Sequence, residues 1–136
     1  MTSIASIAVS GMNAATRRLE VSASNVANQQ STGALPAANG AVPAGAPQAY
    51  KPLQVNQTAV AGGGTQTTVA ATAQGPVAIS DPQAPFANQD GQVAAPNVDL
   101  AQEFIGQLVA RYSYTANLAS LKADRDMSKA LLDATA

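Results

Sequence analysis

Cysteine, histidine and tryptophan are all missing from this 136-residue chain, and the first two absences each close off a class of chemistry. Without cysteine there is no disulfide framework and no thiolate metal site. Without histidine the commonest general base and the commonest metal ligand are gone. Charge is scarce as well. Only 11% of residues are Asp, Glu, Lys or Arg, against roughly 25% in an average soluble domain. Between Val21 and Ser80 the one charged side chain is Lys51. A net charge of -1 supplies no basic field, so nucleic acid is not an expected partner. Aromatics make up 4%, and the 46% apolar fraction is mostly Ala and Val, which bury little area per residue. A lone globule built from this is weakly stabilised. No run of about 18 apolar residues occurs, so no direct membrane insertion is expected. The opening "MTSIASIAVSG" lacks a basic n-region, and its apolar run is too short for a cleaved secretory signal.

What is present is sharply partitioned. All eight prolines fall between Pro36 and Pro96, and eight of the ten glycines lie between Gly33 and Gly91. Prolines disrupt helix interiors, so both ends are free to form long helices. The pattern divides the chain into an N-terminal helical segment 1–33, a Pro/Gly-rich insert 34–96 and a C-terminal helical segment 97–136. In the first, Ile4, Ala8, Gly11, Met12, Ala15, Leu19, Ser22 and Val26 step by three and four residues or less, with Ile7, Ala14 and Val21 as an adjacent row. That stripe predicts a helix from about Ser3 to Asn28, stopped by Gly33 and Pro36. In the last, Asn97 or Asp99 is placed to cap a helix running to about Asp133, with Gln102 as in a capping box. Its stripe is Leu100, Phe104, Leu108, Arg111, Thr115, Leu118, Leu121, Arg125, Ser128 and Leu131/Leu132, widened by Ile105 and Tyr112.

Length then decides something. At about 1.5 Å per residue the two helices would be close to 40 and 50 Å long, whereas a small domain is about 30 Å across. They must pair lengthwise, pack on other chains, or stay partly unfolded alone. In the insert, "AYKPLQV", "TQTTVAAT" and "GPVAIS" have strand character, with Gly62-Gly63-Gly64 as a turn. Strands so poor in large side chains predict a small, loose β insert with disordered connections, above all Ala34 to Gln48. The expected fold is therefore mainly α: two long terminal helices pairing as a coiled coil, with a small Pro/Gly-rich β insert.

Candidate chemistry is thin. Asp99 and Glu103 are one helical turn apart and could pose as an acid and base. A cap and a complement to the positive helix end explain them better. No Lys-Ser/Thr follows Gly62-Gly63-Gly64 and no helix begins there, so the loop is a turn and not a phosphate cradle. No catalytic residue, metal ligand or cofactor is expected. The N-terminal stripe has only Arg17 and Arg18 and no aromatic, which disfavours a membrane-surface helix. Asn25 and Asn28, in "SASNVANQQSTGALP", carry two readings of equal weight: a plain helix end, or amides that let chains pack closely and hydrogen-bond across a seam.

A resemblance bears on that choice. "SASNVANQQSTG" resembles the N-terminal signature of bacterial flagellar axial proteins, the rod and hook family, where a helix ends in an S-N-[LV]-A-N run before a Thr-Gly turn. "PNVDLAQEF" followed by "ARYSYTANLASLKADRDM" is similar to the family's C-terminal signature, with Arg111, Tyr114, Ala116, Asn117 and Met127 at the matching positions. The short length, "DPQAPFA" and "NQDGQVAAPNVD" resemble the proximal-rod members, although Gln92 replaces the usual aromatic. The match covers about the first 35 and last 60 residues.

The resemblance implies a structural subunit of the proximal rod of the flagellar basal body, stacking helically into a hollow drive shaft that crosses the periplasm. Its implied partners are copies of itself, other flagellar rod proteins and the type III export apparatus. Helix and subunit packing is expected from Ile4, Ile7, Met12, Leu19, Val21, Asn25, Val26 and Asn28 on one side. Phe104, Leu108, Arg111, Tyr114, Asn117, Leu118, Leu121, Met127 and Leu131 are expected to supply the other. The Ile4–Val26 stripe would meet the Phe104–Leu132 stripe, and Arg111 would bridge to a carboxylate of another chain. Two alternatives stand beside this: another rod or hook subunit, and a helical adaptor that folds on a soluble partner.

Overall fold

The computed structural model describes residues 3–37 and 40–135. Residues 1–2 and 136, at the outer edges of the expected helical segments, and 38–39, in the expected disordered connection, lie outside the described residues. Helix α1 spans Ile4–Ala27. Ser3 caps it, its Oγ accepting from Ser6 N at 3.1 Å. The far end closes on Asn28, whose Nδ2 donates to Ser24 O at 2.9 Å. Gly33 and Pro36, expected to stop the helix, lie beyond that closure. Helix α2 spans Leu100–Thr135, and Asp99 Oδ1 accepts from the Ala101 and Gln102 amides at 2.9 and 3.2 Å. Asp99 is one of the two caps expected for α2, while Ser3, expected only as the approximate start of α1, serves as its cap, because free N–H groups at a helix start recruit the nearest short acceptor.

Four strands lie between them: β1 (Leu53–Ala59), β2 (Thr65–Ala71), β3 (Val77–Ser80) and β4 (Gln92–Ala95). β1 and β2 form an antiparallel hairpin from Leu53↔Ala71 to Ala59↔Thr65. Its turn uses Gly62, Gly63 and Gly64 at φ of 95°, 105° and 91°, a backbone region other residues rarely enter. β3 pairs antiparallel with β4, Val77↔Ala95 to Ser80↔Gln92. The expectation of a strand beginning at Ala49 is corrected: β1 starts at Leu53, because Pro52 has no N–H to give a ladder. β4 is a strand the hydropathy pattern did not reveal, since "QVAA" is too short and too poor in large residues to stand out. Yet Val93 is wholly buried, and Gly33 joins its neighbour Ala94 through bonds of 2.9 and 2.8 Å. Nor is the described part of the 34–48 connection free of structure. Ala34 N donates to Pro47 O, Ala37 N to Ala41 O and Ala46 N to Pro43 O.

The helices hold 24 and 36 residues and the strands 7, 7, 4 and 4. Helix is therefore less than half the chain, and "mainly α" gives way to two long helices around a two-sheet β region. α1 packs against both α2 and the hairpin. Asn25 meets Leu53 at the hairpin base and Ser10 meets Thr65 at its tip. Seven extended residues and fifteen helical ones both cover roughly 20 Å, so hairpin and helix run alongside one another.

α1 and α2 are antiparallel, with Gly11 against Asn117, Ser22 against Glu103 and Gln107, and Asn25 against Glu103. The seam is not the pair of stripes that large residues suggest. On α1 it runs through Ala8, Gly11, Ala15, Ser22 and Asn25, and on α2 through Glu103, Gln107, Ala110, Asn117, Leu121 and Asp124. Steps of three, four and seven keep one line of each helix against the other. A close approach explains the choice of side chains. A Cβ on Gly11 would stand 2.5–2.7 Å from the Asn117 amide, so small residues go inward and bulky ones are turned out.

Gly11 therefore supplies a test. Gly-to-Ala inside a helix ordinarily adds about 1 kcal/mol of stability. Here Gly11→Ala is expected to lower it by about 1–2 kcal/mol, as overpacking does, because Asn117 Nδ2 is held on Ser113 O at 2.8 Å. Adding Asn117→Ala should restore most of the loss. Urea unfolding of the three variants followed by circular dichroism reads both effects.

Candidate assembly surface

With the seam occupied by small and polar side chains, the large apolar ones are left outside. Ile4, Ile7, Leu19, Phe104, Leu108, Tyr114, Leu118, Met127 and Leu131 are between 36% and 68% exposed. Arg111 is exposed too, and among the described residues it makes no ion pair, whereas Arg17 pairs with Glu20 at 2.9 Å. Met12, Val26, Asn28, Asn117 and Leu121 are half-buried, and only Val21 and Asn25 of the expected packing residues are buried. Of the expected stripes, the small members of the N-terminal one, Ala8, Gly11, Ala15 and Ser22, enter the seam, but on α2 Leu121 is the stripe member that does so, and two apolar grooves flank the seam.

One groove, of about 580 Å³, lies on the hairpin side between Val21, Leu53, Val55, Ile105 and Val109. The other, of about 850 Å³, lies opposite. Ala15 and Ala110 line it beside the walls formed by Leu19, Phe104, Leu108, Arg111 and Tyr114. Small residues leave the trough and the displaced large residues raise its sides.

Where the three parts of the chain meet, Asn25 is the knot. It is 2% exposed. Its Nδ2 donates to Leu53 O at 2.9 Å and to Glu103 Oε1 at 2.7 Å. Its Oδ1 accepts from Leu53 N at 2.8 Å and from the Tyr50 hydroxyl at 3.0 Å. An amide has two donors and two acceptor sites, and here all four are used. Asn28 is different: it closes the helix and receives a long contact from Ser31 Oγ at 3.5 Å. The two readings of these amides are therefore split between them, one joining helices and insert, the other ending a helix.

Asp99 is occupied as a cap, while Glu103 answers Asn25 across 78 residues of sequence. Sequence reasoning placed Glu103 only at the helix start. It placed Ser22 on the N-terminal stripe without its partners and missed the roles of Tyr50 and Gln107, because nothing in linear spacing marks a contact between residues so far apart. The glycine of the Thr-Gly pair was visible, but not its role of letting residues 47–49 pass over it.

The family of flagella basal body rod proteins matches residues 6–34, which is α1 and the run to Gly33 and Ala34. Over 126 residues the chain is 33% identical to the flagellar basal-body rod protein FlgC of Salmonella typhimurium strain LT2, covering 89% of this chain and 87% of the relative. To FlgC of Escherichia coli O6:H1 it is 35% identical over the same shares. To FlgC of Buchnera aphidicola it is 34% identical over 91% of this chain and 90% of the relative. The chain belongs to the flagellar basal-body rod protein family. It is a structural subunit of the basal-body rod, most like FlgC. For a rod protein, side chains turned away from a single-chain seam have an evident use, since a subunit must keep apolar surface for its neighbours. No described helix is long and apolar enough to cross a membrane.

Proposed function

We propose that this chain is a non-catalytic subunit of the proximal rod. It is exported by the flagellar type III apparatus without a cleaved secretory signal and reaches the periplasm. There its helix pair, acting as a coiled coil, stacks with copies of itself and with other rod proteins into a hollow drive shaft. One observation carries the reading: small and polar residues fill most of the internal seam, while all the large apolar residues of α2 outside it, from Phe104 to Leu132, are exposed. A stable solitary fold would bury the larger side chains, each worth about 1.5–3 kcal/mol on full burial against about 0.8 for a methylene. The catalytic alternative is disfavoured by the occupation of Asp99 and Glu103 in hydrogen bonds that hold the helices.

Complementation of a non-motile strain lacking the gene tests this. A chain without residues 1–28 is expected to leave the cells unable to swim in soft agar. Leu118→Glu alters only a side chain on the outward face. It should match the native helicity in solution and still fail to restore swimming. Cells that swim with the deleted chain would overturn the rod assignment.

A further inference from the structure

The β1–β2 hairpin is left with two open edges. Thr72 N donates to Pro52 O and Val60 N to Gly64 O, which fixes the alternation of ladder bonds along the register given above. Leu53, Val55, Gln57 and Ala59 therefore aim their N–H and C=O groups out from β1, as Thr65, Thr67, Val69 and Ala71 do from β2. Helix α1 takes one position on each edge. Asn25 bonds both backbone groups of Leu53, and Ser10 Oγ accepts from Thr65 N at 3.1 Å. The other three positions on each edge meet no partner among the described residues. Edges of soluble sheets are ordinarily blunted by charge, proline or a bulge. From Leu53 to Ala71 there is no charged residue and no proline, and the pairs run without a bulge.

We infer that these edges pair with each other between copies, β1 of one copy taking β2 of the next as an added antiparallel strand. One register uses all six open positions and neither of those held by α1. Val55 stands opposite Ala71, Gln57 opposite Val69 and Ala59 opposite Thr67, and each pair exchanges two hydrogen bonds. The space beside β1 suits the incoming strand. The groove of about 580 Å³ takes its strand residues, Leu53, Gln54 and Val55, from β1, and Ile105 and Val109 of α2 form its other wall. Cross-strand partners share a face, so Val69 and Ala71, both exposed on their own chain, turn to the side of Val55, toward this groove.

Inside one chain β1 and β2 are antiparallel, and between copies they are antiparallel again. Successive copies therefore point the same way, as a shaft of stacked subunits requires. The two edges differ, so the contact is heterologous and propagates instead of closing a dimer. Within a chain Gln57 faces Thr67, whereas between copies it faces Val69. That offset of two residues, about 7 Å along the strands, steps each copy along a helix instead of round a flat ring. The pairing deepens the reading of the chain as a self-stacking rod subunit, on which it rests.

Because the native chain has no cysteine, disulfide trapping reads the register. In the shared sheet Thr58 of one copy faces Thr68 of the next, with about 4.5 Å between Cα atoms, a separation that a disulfide spans. Both side chains are exposed. Purified full chains carrying Thr58→Cys and Thr68→Cys, mixed and mildly oxidised, are expected to give at least fivefold more dimer on a non-reducing gel than either variant alone. Asn56→Cys mixed with Ala70→Cys should do the same. Val109→Glu, placed in the Thr58→Cys chain, should cut the dimer at least fivefold. Leu108→Glu, in the opposite groove, should leave it unchanged. Val109 and Leu108 are both exposed, so circular dichroism of either chain should match the native one.

No dimer from the mixture, an equal yield from one variant alone, or a dimer indifferent to Val109→Glu would each overturn the pairing. The rod assignment falls only if cells carrying the 1–28 deletion swim, so the two failures are distinguishable.

Discussion

Asn25→Ala is expected to destabilise the subunit by about 3 kcal/mol or more, a large share of the roughly 5–15 kcal/mol that holds a typical domain. The substitution removes one small side chain and leaves four groups without their partner. Two are the N–H and C=O of Leu53, at the base of the hairpin; the others are the Glu103 carboxylate and the Tyr50 hydroxyl. A buried polar group stripped of its partner costs about 1–3 kcal/mol. Tyr50 keeps a contact with Ser24 Oγ at 3.1 Å, and half-buried Leu53 and Glu103 admit some water, so the total stays below the simple sum. Asn28→Ala, one turn further along, removes a helix-end contact and should cost only about 0.5–1 kcal/mol. Urea midpoints for the two variants measured side by side decide the matter. Equal losses would mean that Asn25 does not join the three segments. Asn25→Asp sharpens the comparison: it keeps both acceptor roles but sets a second carboxylate against Glu103, so it should be destabilised as well.

Gly33→Ala is the second change with a large expected effect. A Cβ there would run into backbone atoms of Gln48 and Ala49 and stand 2.6 Å from Pro47 O. Unlike the Asn117 amide facing Gly11, backbone cannot swing aside. The loop 47–49 would have to lift off, breaking the 2.8 Å bond from Ala34 N to Pro47 O. The pair of bonds between Gly33 and Ala94, which fastens the end of the N-terminal segment to β4, would be strained in the same movement. Overpacking of this kind costs about 1–3 kcal/mol, and the disturbed bonds bring the loss toward the top of that range. In a chain of this length we expect the thermal midpoint to fall by about 10 °C. Gly75, which has nothing within 4 Å of its Cβ position, is the control: Gly75→Ala should leave the midpoint unchanged or slightly raised. Scanning calorimetry of both variants reads the difference.

Local chemistry was legible in the amino-acid order. The start of α1 near Ser3, the cap at Asp99, the Pro-free extent of both helices and the Gly62-Gly63-Gly64 turn all depend on residues within a few positions of one another. So does the resemblance of both ends to flagellar axial proteins, because each signature is a short run of sequence. The stripes of Leu19, Phe104, Leu108 and Leu118 were legible too, and only their destination was misjudged within the single chain. Hydropathy marks which residues seek burial, but not which partner will provide it.

The tertiary structure decided what lies far apart in sequence. It brought Glu103 to Asn25, laid residues 47–49 across Gly33, and completed the second sheet with the Ala-rich strand β4. It also chose Ala8, Gly11, Ala15 and Ala110 for the seam over their larger neighbours. Where a side chain such as the Asn117 amide already fills the space between the backbones, the facing position has room for little more than hydrogen, and that distance belongs to the helix pair as a whole, not to any residue in it.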